Sequence, residues 1–135
     1  MQKILVGTDA SGSADLAVEA AARLAAAQDA ELLVLYVRPP LDAREVFDPS
    51  HMPDADAYMA AIRERYTEVK VRGRVESGDP AETICDVAEE ESVDVIVVGN
   101  RGTHGKRRWF LGSVPNAIVQ HAPTSVYIVD TRSAQ

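Results

Sequence analysis

The sequence contains one cysteine, Cys85, in 135 residues. A single thiol excludes an internal disulfide and a zinc site built from cysteines. Long apolar runs are also missing: none approaches the roughly 20 residues that a membrane helix needs. The opening Met1-Gln2-Lys3-Ile4-Leu5-Val6-Gly7 reaches glycine too soon for a signal peptide. No two His or Cys residues stand at metal-ligand spacing, and no Ser, His and acid form a recognisable nucleophilic motif, which disfavours a dedicated hydrolase. Acidic residues are plentiful except in one place. Between Asp94 and Asp130 there is none, while Arg101, Lys106, Arg107 and Arg108 all fall there. That stretch carries +4 in a protein of net charge −7, so the remainder carries −11. The overall balance argues against nucleic acid or an anionic membrane as partner. The local one suits a small anion.

With 46 % apolar and 26 % charged residues, the chain has the composition of an ordinary globular protein. Its length suits a single cytoplasmic domain spanning 1–135. Lys3-Ile4-Leu5-Val6-Gly7-Thr8 and Glu31-Leu32-Leu33-Val34-Leu35-Tyr36-Val37 are apolar runs of the kind found in buried parallel strands. Between them, Ser13 to Gln28 is alanine-rich and predicts a helix capped by Ser11 or Ser13, with Leu16, Ala20, Leu24 and Ala27 at helical spacing. A long connection with four prolines runs from 38 to about 54. A helix is expected from Asp54 or Asp56 to about Tyr66, with Tyr58, Ala61, Ile62 and Arg65 as its stripe.

Residues 69–76 alternate valine or glycine with charge, which predicts a strand with one wet face at a sheet edge. Asp79-Pro80-Ala81-Glu82 is a strong helix start, and Ala81, Ile84, Cys85 and Ala88 form that helix's buried face. Cys85 is expected to pack in the core. Glu89-Glu90-Glu91 closes the helix, against its dipole, and is expected to be a solvated face. Residues 93–99 form the most apolar strand, expected to be central. A glycine-rich loop follows from Gly99 to Gly112, then a helix capped by Ser113 and ended by Pro123, and a last strand at 125–130. Strands alternating with helices imply a parallel sheet covered on both faces. In such a sheet a ligand binds at the C-terminal strand ends where the strand order reverses.

The loop from Gly99 to Ser113 has the ingredients of a phosphate seat. Glycines let backbone N–H groups approach an anion, and the helix beginning near Ser113 adds unpaired N–H groups and a positive dipole end. Neither the Walker A spacing nor the dinucleotide Gly-x-Gly-x-x-Gly fits. Gly-x-x-Gly, nine residues and Gly-Ser do fit, at Gly99, Gly102, Gly112 and Ser113. This pattern, the start Ile4-Leu5-Val6-Gly7-Thr8-Asp9-Ala10-Ser11 and the ending His121-Ala122-Pro123-Thr124-Ser125-Val126 resemble the universal stress protein family.

The resemblance implies a single flavodoxin-like, Rossmann-like α/β domain with a five-stranded parallel sheet of order 3-2-1-4-5 and helices on both faces. It implies ATP binding, with Mg²⁺ arriving through the phosphates, and a homodimer, for which the last strand, 125–130, offers an apolar edge. Carried over by residue, Asp9 would meet the adenosine moiety, flanked by Thr8, and backbone at Val37 would contact adenine. Gly99, Gly102, Gly112 and Ser113 would hold ribose and phosphates, with Val114 lending an N–H. Arg101 lies inside the motif at a variable position. Two departures from the family pattern stand out. Pro115 removes a helix-start N–H, and Trp109-Phe110 places bulky aromatics in the loop. The expected function is an ATP-binding stress-response regulator with slow turnover at most, contacting an unidentified protein partner. The alternative is an enzyme that hydrolyses ATP or transfers its phosphoryl or adenylyl group, using Asp9. A phosphoacceptor receiver domain is disfavoured, because Asp9 stands alone after the first strand and Glu76-Ser77-Gly78 follows the third.

Overall fold

The structure, a computed structural model, describes residues 2–9, 12–38, 54–100 and 111–131. Strands and helices alternate throughout: β1 (Lys3–Thr8), α1 (Gly12–Gln28), β2 (Glu31–Arg38), α2 (Ala55–Arg65), β3 (Val71–Ser77), α3 (Pro80–Glu91), β4 (Val95–Gly99), α4 (Ser113–His121) and β5 (Ser125–Val129). The strands form one sheet of order β3-β2-β1-β4-β5, with every neighbouring pair parallel. This is the expected flavodoxin-like order, with β3 and β5 at the two edges.

Alternation along each strand divides the core into two layers. Ile4, Val6, Leu32, Val34, Tyr36, Val95 and Val97 face α1 and α2. Leu5, Leu33, Leu35, Val37, Ile96 and Val98 face α3 and α4. Because the three central strands are covered on both sides, they read as continuous apolar runs. Gly7 marks a close approach: a Cβ there would lie 2.6 Å from Ile84 Cδ1, so the bare backbone lets α3 settle against β1.

The helices depart from expectation in their stripes more than in their bounds. In α1 the seated residues are Ala17, Val18, Ala21, Ala22 and Ala25, whereas Leu16, Ala20 and Leu24 are half-buried and Ala27 is exposed. Small alanines allow closer approach to the sheet, so the larger leucines fall to the flank. Ser13 lies inside α1 rather than before it, and Ser11 lies outside the described residues. In α2, Ala55, Met59 and Ile62 are buried while Ala61 and Arg65 are exposed. Asp54 caps α2, accepting from the Asp56 and Ala57 amides at 3.0 and 3.3 Å. Asp79 caps α3 as predicted, accepting from Glu82 N–H at 2.9 Å with proline next in sequence. Strand β4 begins two residues later than expected. Asp94 instead turns outward and accepts from the Gln2 and Lys3 amides at 2.7 and 2.9 Å, interactions that hold its carboxyl below the usual range.

The expected wet face of β3 and the expected solvated glutamates of α3 prove to be one structure. Arg72 and Arg74 reach across to Glu91, at 2.6 and 2.9 Å, and Lys3 of β1 joins them at 3.3 Å. Lys3 also donates to the Glu91 carbonyl at 3.1 Å, closing the C-terminal end of α3. Arg74 extends the network to Glu90 at 3.0 Å and Glu76 at 2.8 Å. Glu91 is therefore a partly buried hub; hydrogen bonds from Arg72, then Lys3, hold its carboxyl down at about 2. Cys85 is half-buried beside the α3–α4 layer, and burial, with Asp86 adding to it, pushes its thiol up, away from reactivity.

Candidate functional site

The chain order reverses between β1 and β4, which lie side by side in the middle of the sheet. Their register pairs Ile4 with Val95 and Val6 with Val97. Carried two residues further, it sets Thr8 level with Gly99. The loop after β1 and the loop after β4 therefore leave the sheet next to each other, at the crevice where open α/β sheets bind ligands.

On the β1 side, Thr8 is buried and Asp9 is exposed. Thr8 Oγ1 lies 2.7 Å from Tyr58 Oη of α2. The Tyr58 ring in turn meets Tyr36 of β2, with centroids 6.1 Å apart and planes tilted by 58°. Burial raises the Tyr58 hydroxyl above its ordinary pKa; a hydrogen bond from Thr8 opposes this, while Asp15 and Asp9 reinforce it. The sequence stripe placed Tyr58 in the core, and nothing in spacing alone paired it with Thr8.

On the β2 side, Val37 is buried one residue beyond the last β1–β2 register pair, Thr8 with Tyr36. Its backbone thus lies past the end of β1. Arg38 comes next, and its Nε is buried without a hydrogen-bond partner among the described residues.

On the β4 side, Gly99 ends the strand and Asn100 ties the departing chain to its surroundings. The Asn100 amide donates to the Val129 carbonyl at 2.8 Å, and its own carbonyl accepts from Gly112 N–H at 2.9 Å. Its side-chain oxygen accepts from the Thr131 amide at 3.1 Å and from Thr131 Oγ1 at 2.9 Å. Thr131 is buried, so these donors depend on Asn100. No sequence motif singled out this residue. Gly112 is brought back beside the end of β4 in this way, and Ser113 and Val114 open α4.

Ser113 does not cap α4. The cap position is Gly112, which makes no side-chain capping bond, and the first helical bond runs from Asn116 N–H to the Gly112 carbonyl at 3.0 Å. Ser113 is exposed in the first turn, where backbone N–H groups lack helical acceptors. Pro115 is buried at the third position, so its missing N–H is one of these orphans and its ring packs inward. Arg101 and Gly102, with Trp109 and Phe110, lie outside the described residues. The described site residues Thr8, Asp9, Val37, Gly99, Gly112, Ser113 and Val114 all gather at the C-terminal ends of β1, β2 and β4. Among the described residues no group of three or more His, Cys, Asp or Glu is placed to hold a metal ion. No helix among them is long and apolar enough to cross a membrane.

Comparison with known proteins matches this arrangement. A model of the universal stress protein family matches residues 1–130. SH1215 of Staphylococcus haemolyticus, named for that family, is 32 % identical over 143 aligned positions, covering 96 % of this chain and 85 % of that protein. The solved structure of hypothetical protein MJ0577 superposes with a TM-score of 0.80 at 26 % identity, covering 96 % of this chain and 95 % of the other. A universal stress protein solved in complex with cAMP superposes with a TM-score of 0.74 at 28 % identity, covering 96 % and 97 %. The chain belongs to the universal stress protein family.

Proposed function

We propose that the protein binds ATP in the crevice between the β1 and β4 loops and acts as a cytoplasmic regulator whose occupancy alters its contacts with other proteins. The observation that carries this reading is the meeting of Gly99, Gly112 and the exposed first turn of α4 at the switch point, level with Thr8 and Asp9. Backbone N–H groups at Gly112, Ser113 and Val114, with Ser113 Oγ, would hold phosphates. Arg101 and Gly102 belong to the same motif. Asp9 would accept from the adenosine moiety and the Val37 backbone would meet adenine. The cAMP complex of a family member supports an adenine nucleotide as the ligand class. Mg²⁺ would enter through phosphate oxygens.

Calorimetric titration with ATP tests this directly. Saturable binding, weakened by Gly102→Val and by Ser113→Ala, is expected; absence of binding by the wild type refutes it. Incubation with ATP and Mg²⁺ should give slow turnover at most, whereas many turnovers per minute, lost in Asp9→Ala, would establish the enzyme reading instead. The same reading includes a homodimer through β5, where the exposed Tyr127 and the half-buried Val126 and Ile128 line an open sheet edge. A monomeric mass by analytical ultracentrifugation at micromolar concentration would overturn it.

A further inference from the structure

The β1 tip, α1 and α2 meet at one phenol. Tyr58 Oη lies 2.7 Å from Thr8 Oγ1, the last residue of β1 and the neighbour of Asp9. The charges of Asp15, in the first turn of α1, and of Asp9 are also felt at the phenol. Either hydroxyl of the Thr8–Tyr58 pair can donate to the other. The phenol thus stands beside Asp9 on both sides in sequence, bonded to Thr8 before it and within reach of the Asp15 charge after it. Tyr58 itself belongs to α2, whose Ala55, Met59 and Ile62 pack on the sheet. Tilted against Tyr36 of β2, the Tyr58 ring is steadied by a strand residue that is itself in register with Thr8.

We infer that Tyr58 is a positioning residue that holds the Asp9 turn from outside the crevice and passes nucleotide occupancy there to α2. This rests on the proposed nucleotide site, with α2 as the element that reports its state. A ligand ordering Asp9 would order its neighbour Thr8, and the phenol bonded to Thr8 with it. Tyr58 acts through Thr8 rather than by touching the ligand itself.

Hydrogen–deuterium exchange with and without saturating ATP, on the wild type and Tyr58→Phe, tests the inference. In the wild type, ATP should slow exchange in residues 55–65 severalfold. In Tyr58→Phe the slowing of 55–65 should vanish, while ATP still binds within about tenfold of the wild-type affinity and still protects the start of α4. A measurement needing no variant accompanies it: the ¹³Cζ resonance of Tyr58 should shift on adding ATP. Equal α2 protection in wild type and Tyr58→Phe would overturn the inference, as would wild type that binds ATP with neither α2 protection nor a Tyr58 shift. Both results leave the nucleotide reading standing. Wild type that fails to bind ATP removes that reading, and this one with it.

Discussion

Replacing Glu91 with glutamine removes the charge that organises one end of the sheet. The glutamine keeps the size of glutamate but exchanges one acceptor oxygen for an NH2 donor, so packing is preserved while Lys3, Arg72 and Arg74 are left facing one another without their shared anion. A carboxyl brought from an ordinary 4.5 down to about 2 corresponds to about 3 kcal/mol of stability at neutral pH. Glu91 is mostly shielded, with 16 % of its side chain exposed, but Arg72 is 41 % exposed, and solvent screening reduces the expected loss to about 1–2 kcal/mol. In a domain of this size that lowers the melting temperature by about 4–8 °C. The pH dependence has a definite sign. The folded carboxyl titrates below the unfolded one, so the contribution is complete above about 4.5 and disappears as pH falls towards 2. Urea denaturation of both proteins at a series of pH values, in low salt and in 0.5 M salt, measures the difference. It should be largest near neutrality in low salt, shrink with salt and converge in acid. A difference below about 0.3 kcal/mol at pH 7 in low salt, or one unchanged down to pH 2.5, would refute the reasoning.

Other perturbations have equally definite outcomes. Asn100→Ala leaves two donors of the buried Thr131 without their acceptor and should cost about 1–3 kcal/mol by chemical denaturation. Arg38→Met removes a buried N–H that has no acceptor among the described residues, so the melting temperature of the ligand-free protein should hold or rise. Gly7→Val should destabilise by about 1–3 kcal/mol in thermal unfolding, since its added atoms displace the Ile84 side chain, whose Cδ1 lies 2.6 Å from where the Cβ would be. Gly12→Ala meets nothing within 4 Å at the start of α1 and should stabilise by up to about 1 kcal/mol.

What could be read from the residues was whatever depends on near neighbours in the chain. The β-α alternation, the doubly covered central strands and the cap at Asp79 each follow from a few adjacent side chains. So did the Gly99 to Ser113 pattern, whose glycines and helix start lie within one short stretch of sequence. Features that need a partner far along the chain stayed hidden. Glu91 looks like one of three surface acids until Arg72 and Lys3 arrive from two strands. Tyr58 looks like an ordinary core aromatic until β1 ends beside it. Ser113 resembles a cap, yet the chain enters α4 through Gly112, one residue earlier, because Asn100 draws that residue in. In α1, helical spacing alone fits the stripe through Leu16 and Leu24 as well as the buried one through Ala17, Ala21 and Ala25, and only contact with the sheet decides for the small residues.

The bond from Gly112 N–H to the Asn100 carbonyl, at 2.9 Å, acts as a neck. It joins the residue that follows β4 directly to the residue that precedes α4. Lengthening a closed loop is thermodynamically mild, about 0.6 kcal/mol for each doubling. A residue inserted between Asn100 and Gly112 therefore carries a small cost in chain entropy, while the tie itself holds the end of β4 against the start of α4. An engineered variant should keep Asn100, Gly112 and Thr131, whose bonds make that tie.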